Sequence, residues 1–362
     1  MWGDPGVTQQ VMIQESPLSY PSTTGGQAVR TLQRAGLLKK LRFWSSMALT
    51  VSAQTGAATK SPYGPLSAIN RIRVNANGQI PLFDMSGYGA ALYNEVSNRD
   101  GSVLAYPSYQ SANNITAGAA MVQFDATSVA TVYAKQPFEF QFALPVNIRQ
   151  QVTELGLWLL QNQAIDVGVE VNFNPLYQSA ASNFVPWTGG TGITAAADTT
   201  NSKLYIEREL YEIPPKAEDY PNLAWTHQVI EFTLPFTGST AVFNVPRAGL
   251  LLRAIVHTMD GSNNPVEYTD ISSMSWLYGA NENPINRPGW AMAEEFLMDY
   301  NRMPPKGAVV LDFYKWGEQG LKLVKDTEVL SNLRIQTNYT ATTAGTQLII
   351  LDRLVPVVSR PA

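Results

Sequence analysis

The stretch Arg34-Ala35-Gly36-Leu37-Leu38 occurs a second time in the chain, residue for residue, as Arg247-Ala248-Gly249-Leu250-Leu251. In each case a β-rich run precedes it and a strand-like segment follows it. Further similarities recur in the same order along the chain: Leu66–Ile69 with Ile271–Met274, Tyr93-Asn94 with Tyr300-Asn301 at the ends of two predicted helices, Val169–Phe173 with Ile335–Tyr339, and Leu204, Ile206 and Leu210 with Leu348, Ile350 and Leu354. Ordered internal similarity indicates a duplication, so the sequence predicts two copies of one domain.

Each copy is predicted to be a β domain. Apolar and polar residues alternate along many short segments, for example Phe138–Leu144 and Val167–Phe173. This alternation predicts strands with one face in a core, and Gly- and Asn-rich turns separate them. Helical spacing is confined to Tyr88–Val96 and Trp290–Tyr300. About eight strand-like runs in each copy predict an all-β fold of two tandem eight-stranded jelly rolls with short helices between strands, although alternation alone does not separate a jelly roll from another sandwich.

The domain boundaries follow from the repeats and from a proline-rich segment between them. We predict an N-terminal arm, a first jelly roll, a Pro-rich linker, a second jelly roll and a C-terminal tail, at 1–10, 11–214, 215–225, 226–357 and 358–362. The first domain is longer because it carries additional residues at 97–136 and 174–203. Long polar loops of this kind usually carry the variable surface of a β scaffold.

Composition excludes several classes of function. Charged residues make up 15% of the 362 residues and the net charge is −4, which excludes a globally basic nucleic-acid binder. The chain has no cysteine, so disulfides, thiol nucleophiles and thiolate metal sites are excluded. The N-terminus has neither the basic nor the apolar region of a secretory signal, and no apolar run is long enough for a transmembrane helix, so synthesis in a cytoplasm is expected.

Residues for catalysis are also sparse. His227 and His257, the two histidines, have no clustered partners, so both are predicted surface or packing residues, and no metal or cofactor is expected. Nucleophile-elbow, Walker and dinucleotide-binding motifs are absent, and Gly189–Gly192 is predicted to be a flexible loop. Glu294-Glu295 and the pair Glu207 and Glu209 are predicted to lie on solvated faces or at subunit contacts. The sequence therefore predicts a protein that is not an enzyme.

One cluster of cations has no acid within it: Arg30, Arg34, Lys39, Lys40 and Arg42. A solvated strand edge is one interpretation, since lysine at an edge prevents unwanted strand pairing. The other is an inner-face site that contacts anionic lipid headgroups or packaged nucleic acid. The equivalent stretch of the second copy, Arg247 to Arg253, keeps only two cations.

Two stretches resemble a known family. They are the helix from Trp290 followed by Asn301–Gly307 and Ala308–Leu311, and Phe142–Ile148 continuing to Gly168–Phe173. With the order of the repeats, they resemble the double jelly-roll major capsid proteins of internal-membrane phages of the tectivirus type, the lineage that includes adenovirus hexon. The resemblance implies a homotrimer whose six jelly rolls form a pseudo-hexagonal capsomer of an icosahedral shell.

The same resemblance implies a virion location after synthesis in a host cytoplasm. It also implies contacts with neighbouring capsomers, with minor capsid or vertex proteins, and with an internal membrane or the packaged genome, towards which residues 1–10 and the cations would face. Two other functions stay open on the sequence. One is a phage spike or tail adhesion protein, and the other is a carbohydrate-binding β-sandwich that uses exposed tryptophans such as Trp187.

Overall fold

The computed structural model describes most of the chain. The described residues are 10–21, 25–52, 59–60, 66–78, 80–97, 130–148, 151–160, 166–178, 185–188, 194–216, 220–279, 282–315 and 324–357. Most of the predicted arm, the tail and the greater part of 97–136 therefore lie outside the described residues, as does Gly189–Gly192.

These residues form strands with two α-helices between them. The strands are β1 (Gln10–Gln14), β2 (Leu18–Ser19), β3 (Gly26–Thr31), β4 (Leu37–Ser52), β5 (Thr59–Lys60), β6 (Ile69–Ala76), β7 (Ile80–Met85), β8 (Ala130–Gln141), β9 (Leu144–Ile148), β10 (Gln151–Leu155), β11 (Trp158–Leu159), β12 (Val167–Phe173), β13 (Tyr177–Gln178), β14 (Trp187–Thr188), β15 (Thr194–Ala197), β16 (Lys203–Tyr211), β17 (Trp225–Asn244), β18 (Leu250–Asp260), β19 (Ile271–Tyr278), β20 (Glu282–Arg287), β21 (Ala308–Asp312), β22 (Lys325–Asp326) and β23 (Arg334–Pro356). The helices are α1 (Gly87–Ser97) and α2 (Gly289–Tyr300).

The chain divides into two compact units. The first contains Met1–Phe142 and Trp158–Tyr220, and the second contains Ala143–Leu157 and Pro221–Ala362. The predicted linker 215–225 contains the second boundary between the units, between Tyr220 and Pro221. The hairpin of β9 and β10, however, lies within the range predicted for the first domain and packs in the second unit.

The first unit has jelly-roll topology. Its eight principal strands, in chain order, are β1, β3, β4, β6, β7, β8, β12 and β16. The first, eighth, third and sixth form one antiparallel sheet, β1-β16-β4-β8. The second, seventh, fourth and fifth form the other, β3-β12-β6-β7. Phenylalanines of the two sheets meet in the core, where the rings of Phe83 and Phe140 stack at 4.7 Å.

The second unit repeats this strand order. Its long strands β17 and β23 each run through both sheets, with one half in each sheet. The register of their pairing changes between Gly238 and Thr240. The first half of β17, the second half of β23, β18 and β21 form one sheet. The second half of β17, the first half of β23, β19 and β20 form the other. The prediction of two tandem eight-stranded jelly rolls is therefore confirmed.

The identical pentapeptides occupy the same position in both units, in the turn that enters the third strand. Gly36 has a φ of +66° and Gly249 a φ of +59°. Both glycines lie against a carbonyl of the eighth strand, that of Tyr211 in the first unit and that of Leu354 in the second. Only glycine fits such a turn, because any other residue is strained at a positive φ and its Cβ would clash with that carbonyl oxygen.

Each helix lies between the fifth and sixth strands and begins at a glycine packed on the chain before the fourth strand. Gly87 lies against Leu66 and Ile69, and Gly289 against Tyr268 and Ile271. Both predicted helices are thus confirmed.

Three of the sequence matches are offset from the structural equivalence. Counted from Gly87 and Gly289, Tyr93 corresponds to Glu295 rather than to Tyr300, and α1 continues past Asn94 to Ser97, so that match is wrong by five residues. Leu66 corresponds to Tyr268 rather than to Ile271, so that match is wrong by three residues. The match of Leu210 with Leu354 is wrong by one residue, because Tyr211 is the structural counterpart of Leu354.

Candidate functional site

The central part of the predicted cation cluster lies on β4, between β16 and β8. Arg42 lies opposite Glu207 of β16 and Glu139 of β8. Its guanidinium lies 3.5 Å from Glu207 and 3.6 Å from Glu139. Lys40 Nζ donates to Glu139 Oε1 at 3.0 Å. Lys40 and Arg42, which have no acid near them in the sequence, thus form ion pairs with acids of the neighbouring strands.

Lys39 adds a third cation to this group. The pairing of β4 with β16 shifts at this point, with Lys40 opposite Glu209 and Leu38 opposite Leu210, so Lys39 is the extra residue of a β-bulge. Its Nζ lies 2.8 Å from Glu209 Oε1 and 5.2 Å from the centre of the Tyr211 ring. Burial alone would lower the pKa of Lys39, but the hydrogen bond and the charge of Glu209 outweigh it and raise the pKa.

We call this group the charge ladder: Lys39, Lys40, Arg42, Glu139, Glu207 and Glu209. Its three cations and three acids leave no net charge. All six side chains are partly or largely buried, with the side chain of Glu209 only 10% exposed. The ladder therefore joins three strands of one sheet by ion pairs that solvent screens incompletely.

The other two predicted cations lie elsewhere. Arg34, in the turn before β4, donates from Nε and Nη2 to Asp166 Oδ1, at 2.9 and 2.7 Å, and both side chains are exposed. Arg30 is on β3, in the other sheet, and its Nε is buried without a hydrogen-bond partner. The structure thus brings Lys39, Lys40 and Arg42 together and places Arg30 and Arg34 apart from them.

Sequence reasoning did not identify the acids of the ladder as partners of these cations. Glu207 and Glu209 were predicted at a solvated face or a subunit contact. Glu139 stands between Phe138 and Phe140, where the alternation already points its side chain away from the core. Only the pairing of β4 with β8 and β16 brings these acids to the cations, and this pairing joins segments far apart in sequence.

The second unit has charged residues at the equivalent position but buries them. Arg253 lies opposite Asp352, as Lys40 lies opposite Glu209 in the first unit. Arg253 Nε forms an ion pair with Asp312 of β21 at 3.2 Å, and both side chains are buried.

The carboxylate of Asp312 is fixed from several directions. The Tyr300 hydroxyl donates to it from the end of α2, and the backbone amides of Tyr314 and Lys315 donate to Oδ1 at 2.9 and 2.8 Å. Burial alone would raise the pKa of Asp312, but the charge of Arg253 and these hydrogen bonds hold it below its usual value. A buried, hydrogen-bonded ion pair of this kind joins α2 and its following strand to the core.

Both histidines are buried packing residues of the second unit. His227 Nε2 lies 2.5 Å from Asp352 Oδ1. Burial lowers the pKa of His257 to about 4, and a hydrogen bond with the backbone of Lys306 offsets only part of that effect. Within the described ranges, no group of three or more acidic or histidine side chains is placed to hold a metal ion.

The other candidate site residues of the sequence analysis lie outside the charge ladder. Glu294 is exposed on α2, and Glu295 pairs with Arg287 of β20. The backbone of Trp187 forms part of β14, while its side chain lies outside the described set. None of the helices in the described part of the chain is both long enough and apolar enough to cross a bilayer.

No protein-family model and no curated protein sequence matches the chain. Solved structures do match it. The crystal structure of the STIV MCP has a TM-score of 0.66 and 14% identity over 96% of this chain and 97% of that chain. The atomic structure of Sulfolobus Turreted Icosahedral Virus gives a TM-score of 0.65 and 15% identity over 97% and 92% of the two chains.

A third match is PBCV-1 VP54 fitted into a reconstruction of the virophage Sputnik, with a TM-score of 0.58 and 9% identity over 97% of this chain and 95% of that chain. At these identities the likeness concerns the fold. It extends over nearly the whole chain and includes both jelly rolls. The chain therefore has the double jelly-roll fold of these viral capsid proteins.

Proposed function

We propose that this chain is a viral major capsid protein. Three copies form a pseudo-hexagonal capsomer, and capsomers tile an icosahedral shell. The observation that carries the proposal is the duplication: two jelly rolls of identical strand order stand in tandem, and the likeness to capsid proteins covers both of them. No comparable observation supports the spike or tail alternative or the carbohydrate-binding alternative.

The duplication suits a ring of three chains. Each chain supplies two similar but unequal jelly rolls, so three chains supply six around a threefold axis. A heterologous contact repeated around such an axis closes without a free end. A closed ring of six similar domains has a nearly hexagonal outline, which packs edge to edge in a shell.

A structural role without catalysis agrees with the polar groups that the structure describes. The charge ladder and the pair of Arg253 and Asp312 join neighbouring strands of their sheets. Ion pairs of this kind favour a rigid domain with fixed faces, which a shell protein requires. Neighbouring capsomers and minor capsid or vertex proteins are the partners expected in this role.

Contact of Arg30, Arg34, Lys39, Lys40 and Arg42 with an internal membrane or a packaged genome stays a prediction. The ion pairs of the ladder leave less free positive charge on this surface than the sequence implies. Any attraction would therefore depend more on Arg30, because Arg34 is itself paired with Asp166.

Light scattering coupled to size exclusion tests the proposal on the purified protein alone. One chain has a mass of 39.7 kDa. A trimer of three times that mass, stable on dilution to micromolar concentration, is the expected result. A stable monomer at that concentration would contradict the proposal, because capsomers of this class are permanent assemblies.

A further inference from the structure

Each unit ends in a strand whose outer edge has no partner among the described residues. In the first unit β3 pairs only with β12, and in the second unit β20 pairs only with β19. An edge strand presents backbone donors and acceptors that pair readily with another strand. The two edges belong to different units of the same chain, so they are two different surfaces.

β3 lacks the usual protection of an edge. Its sequence, Gly26–Thr31, contains no proline and a single charge, that of Arg30. Val29 is 60% exposed, and the buried Nε of Arg30 has no hydrogen-bond partner. Edges that remain free in solution usually carry lysine, proline or a bulge. The composition of β3 therefore suits an edge that becomes covered.

The edge of β20 adjoins an exposed apolar surface. Arg287, its last residue, forms an ion pair with Glu295 and so joins β20 to α2. On its outer side α2 exposes Trp290, Leu297 and Met298, the last of them 82% exposed. These side chains follow helical spacing and so form one stripe.

The first unit buries two of the three corresponding positions, and the third, Glu95, is half-buried. Counting from the equivalent glycines Gly87 and Gly289, Tyr88 corresponds to Trp290 and Val96 to Met298. Both Tyr88 and Val96 are buried. The fold thus covers this side of the helix in one unit and leaves it open in the other.

The two surfaces also carry complementary charges. Arg30 on β3 has no carboxylate partner among the described residues. Exposed Glu294 on α2, between Trp290 and Met298, has no cationic partner among them. Opposite unpaired charges at two edges favour contact between those edges.

We propose that the β20 edge and the exposed face of α2 in one copy dock against the β3 edge of the next copy. The β20 edge then lies beside the β3 edge, Trp290 and Met298 become buried, and Glu294 approaches Arg30. The inference rests on the proposed trimer and specifies the contact that closes it. A second copy is the occupant because one chain carries both surfaces, so three copies use all six and leave no edge open.

Cross-linking tests this contact directly, because the natural chain has no cysteine. The variant with Val29→Cys and Asn286→Cys places one thiol on each edge, and a short bismaleimide tolerates a small offset in register. We expect a covalent trimer under denaturing conditions. The matched control combines Val29→Cys with Val329→Cys, since Val329 is 77% exposed but lies outside β20 and α2. That control should stay monomeric on the gel.

The outcomes separate the contact from the function. A native trimer that gives no more cross-linked product than the control overturns the proposed contact and leaves the capsid proposal standing. A native monomer overturns both. As a second test, Met298→Glu should raise the concentration at which the trimer dissociates by roughly tenfold or more, and Val329→Glu should leave it unchanged. Equal effects of these two variants would also overturn the contact.

Discussion

Gly36 and Gly249 are structural equivalents: each enters the third strand of its jelly roll with a positive φ, +66° and +59°, and faces a carbonyl of the eighth strand. The turn allows no Cβ, so the residue at this point is fixed by backbone geometry. This requirement accounts for the glycine at the centre of the repeated pentapeptide in an otherwise divergent pair of domains.

Replacing either glycine by alanine should therefore destabilise its unit more than the same replacement at a positive-φ glycine that has open space around it. At Gly36 a Cβ would lie 2.7 Å from the carbonyl oxygen of Tyr211, whereas at Gly78, with a φ of +68°, nothing lies within 4 Å. We expect Gly78→Ala to lower the free energy of unfolding by about 1 kcal/mol and Gly36→Ala or Gly249→Ala by roughly 3 kcal/mol. Urea unfolding measures the difference, and equal losses at all three sites would show that the two carbonyls do not exclude a Cβ.

The Lys39–Glu209 pair should couple more strongly than the Arg34–Asp166 pair. The distances are similar, 2.8 and 2.7 Å, but the side chains are 19% and 10% exposed in the first pair and 46% and 56% in the second. Double-mutant cycles with Lys39→Met and Glu209→Gln, and with Arg34→Met and Asp166→Asn, measure both coupling energies. We expect about 1–2 kcal/mol for the first pair and below about 0.5 kcal/mol for the second. A larger coupling for the exposed pair would contradict the account.

Cation removal should weaken any association with anionic lipid. If the first-unit surface faces a membrane, Lys39→Gln with Lys40→Gln will reduce binding to phosphatidylserine vesicles, and Arg34→Gln will reduce it further. The effect should shrink as salt is raised, because the interaction is electrostatic. Lys216→Gln, in the linker, provides the control. Binding that none of these changes affects would show that the cations serve only the sheet.

Acidification should destabilise the second unit through His257. Burial lowers its folded pKa from 6.5 to about 4, so between these values the unfolded chain binds more protons and the free energy of unfolding falls as the pH drops. From pH 7.5 to pH 5 the loss should be about 2 kcal/mol.

His257→Gln removes this contribution. The urea midpoint of the variant should therefore change less between pH 7.5 and pH 5 than that of the natural protein. Near pH 6 the folded protein itself should keep His257 neutral, so the proposed trimer should not dissociate there through this residue. An identical pH dependence in the two proteins would contradict the assignment.

The sequence predicted the strands, the two helices and the duplication because each leaves a local pattern. It could not predict the ladder, because Glu139 and Glu207 reach Arg42 only through pairing between distant segments. It also misjudged the phase of the last strand by one residue. Leu348–Leu351 are all buried, so their uninterrupted apolar run does not reveal which side chains share a face.

Electron microscopy of the purified protein, with averaging of single particles, shows directly whether three chains form a capsomer. We expect particles of three copies with threefold symmetry, a nearly hexagonal outline and six jelly-roll densities around the axis. Monomeric particles, or an elongated trimer with its jelly rolls stacked along a fibre, would contradict the assignment of this chain as a capsid protein.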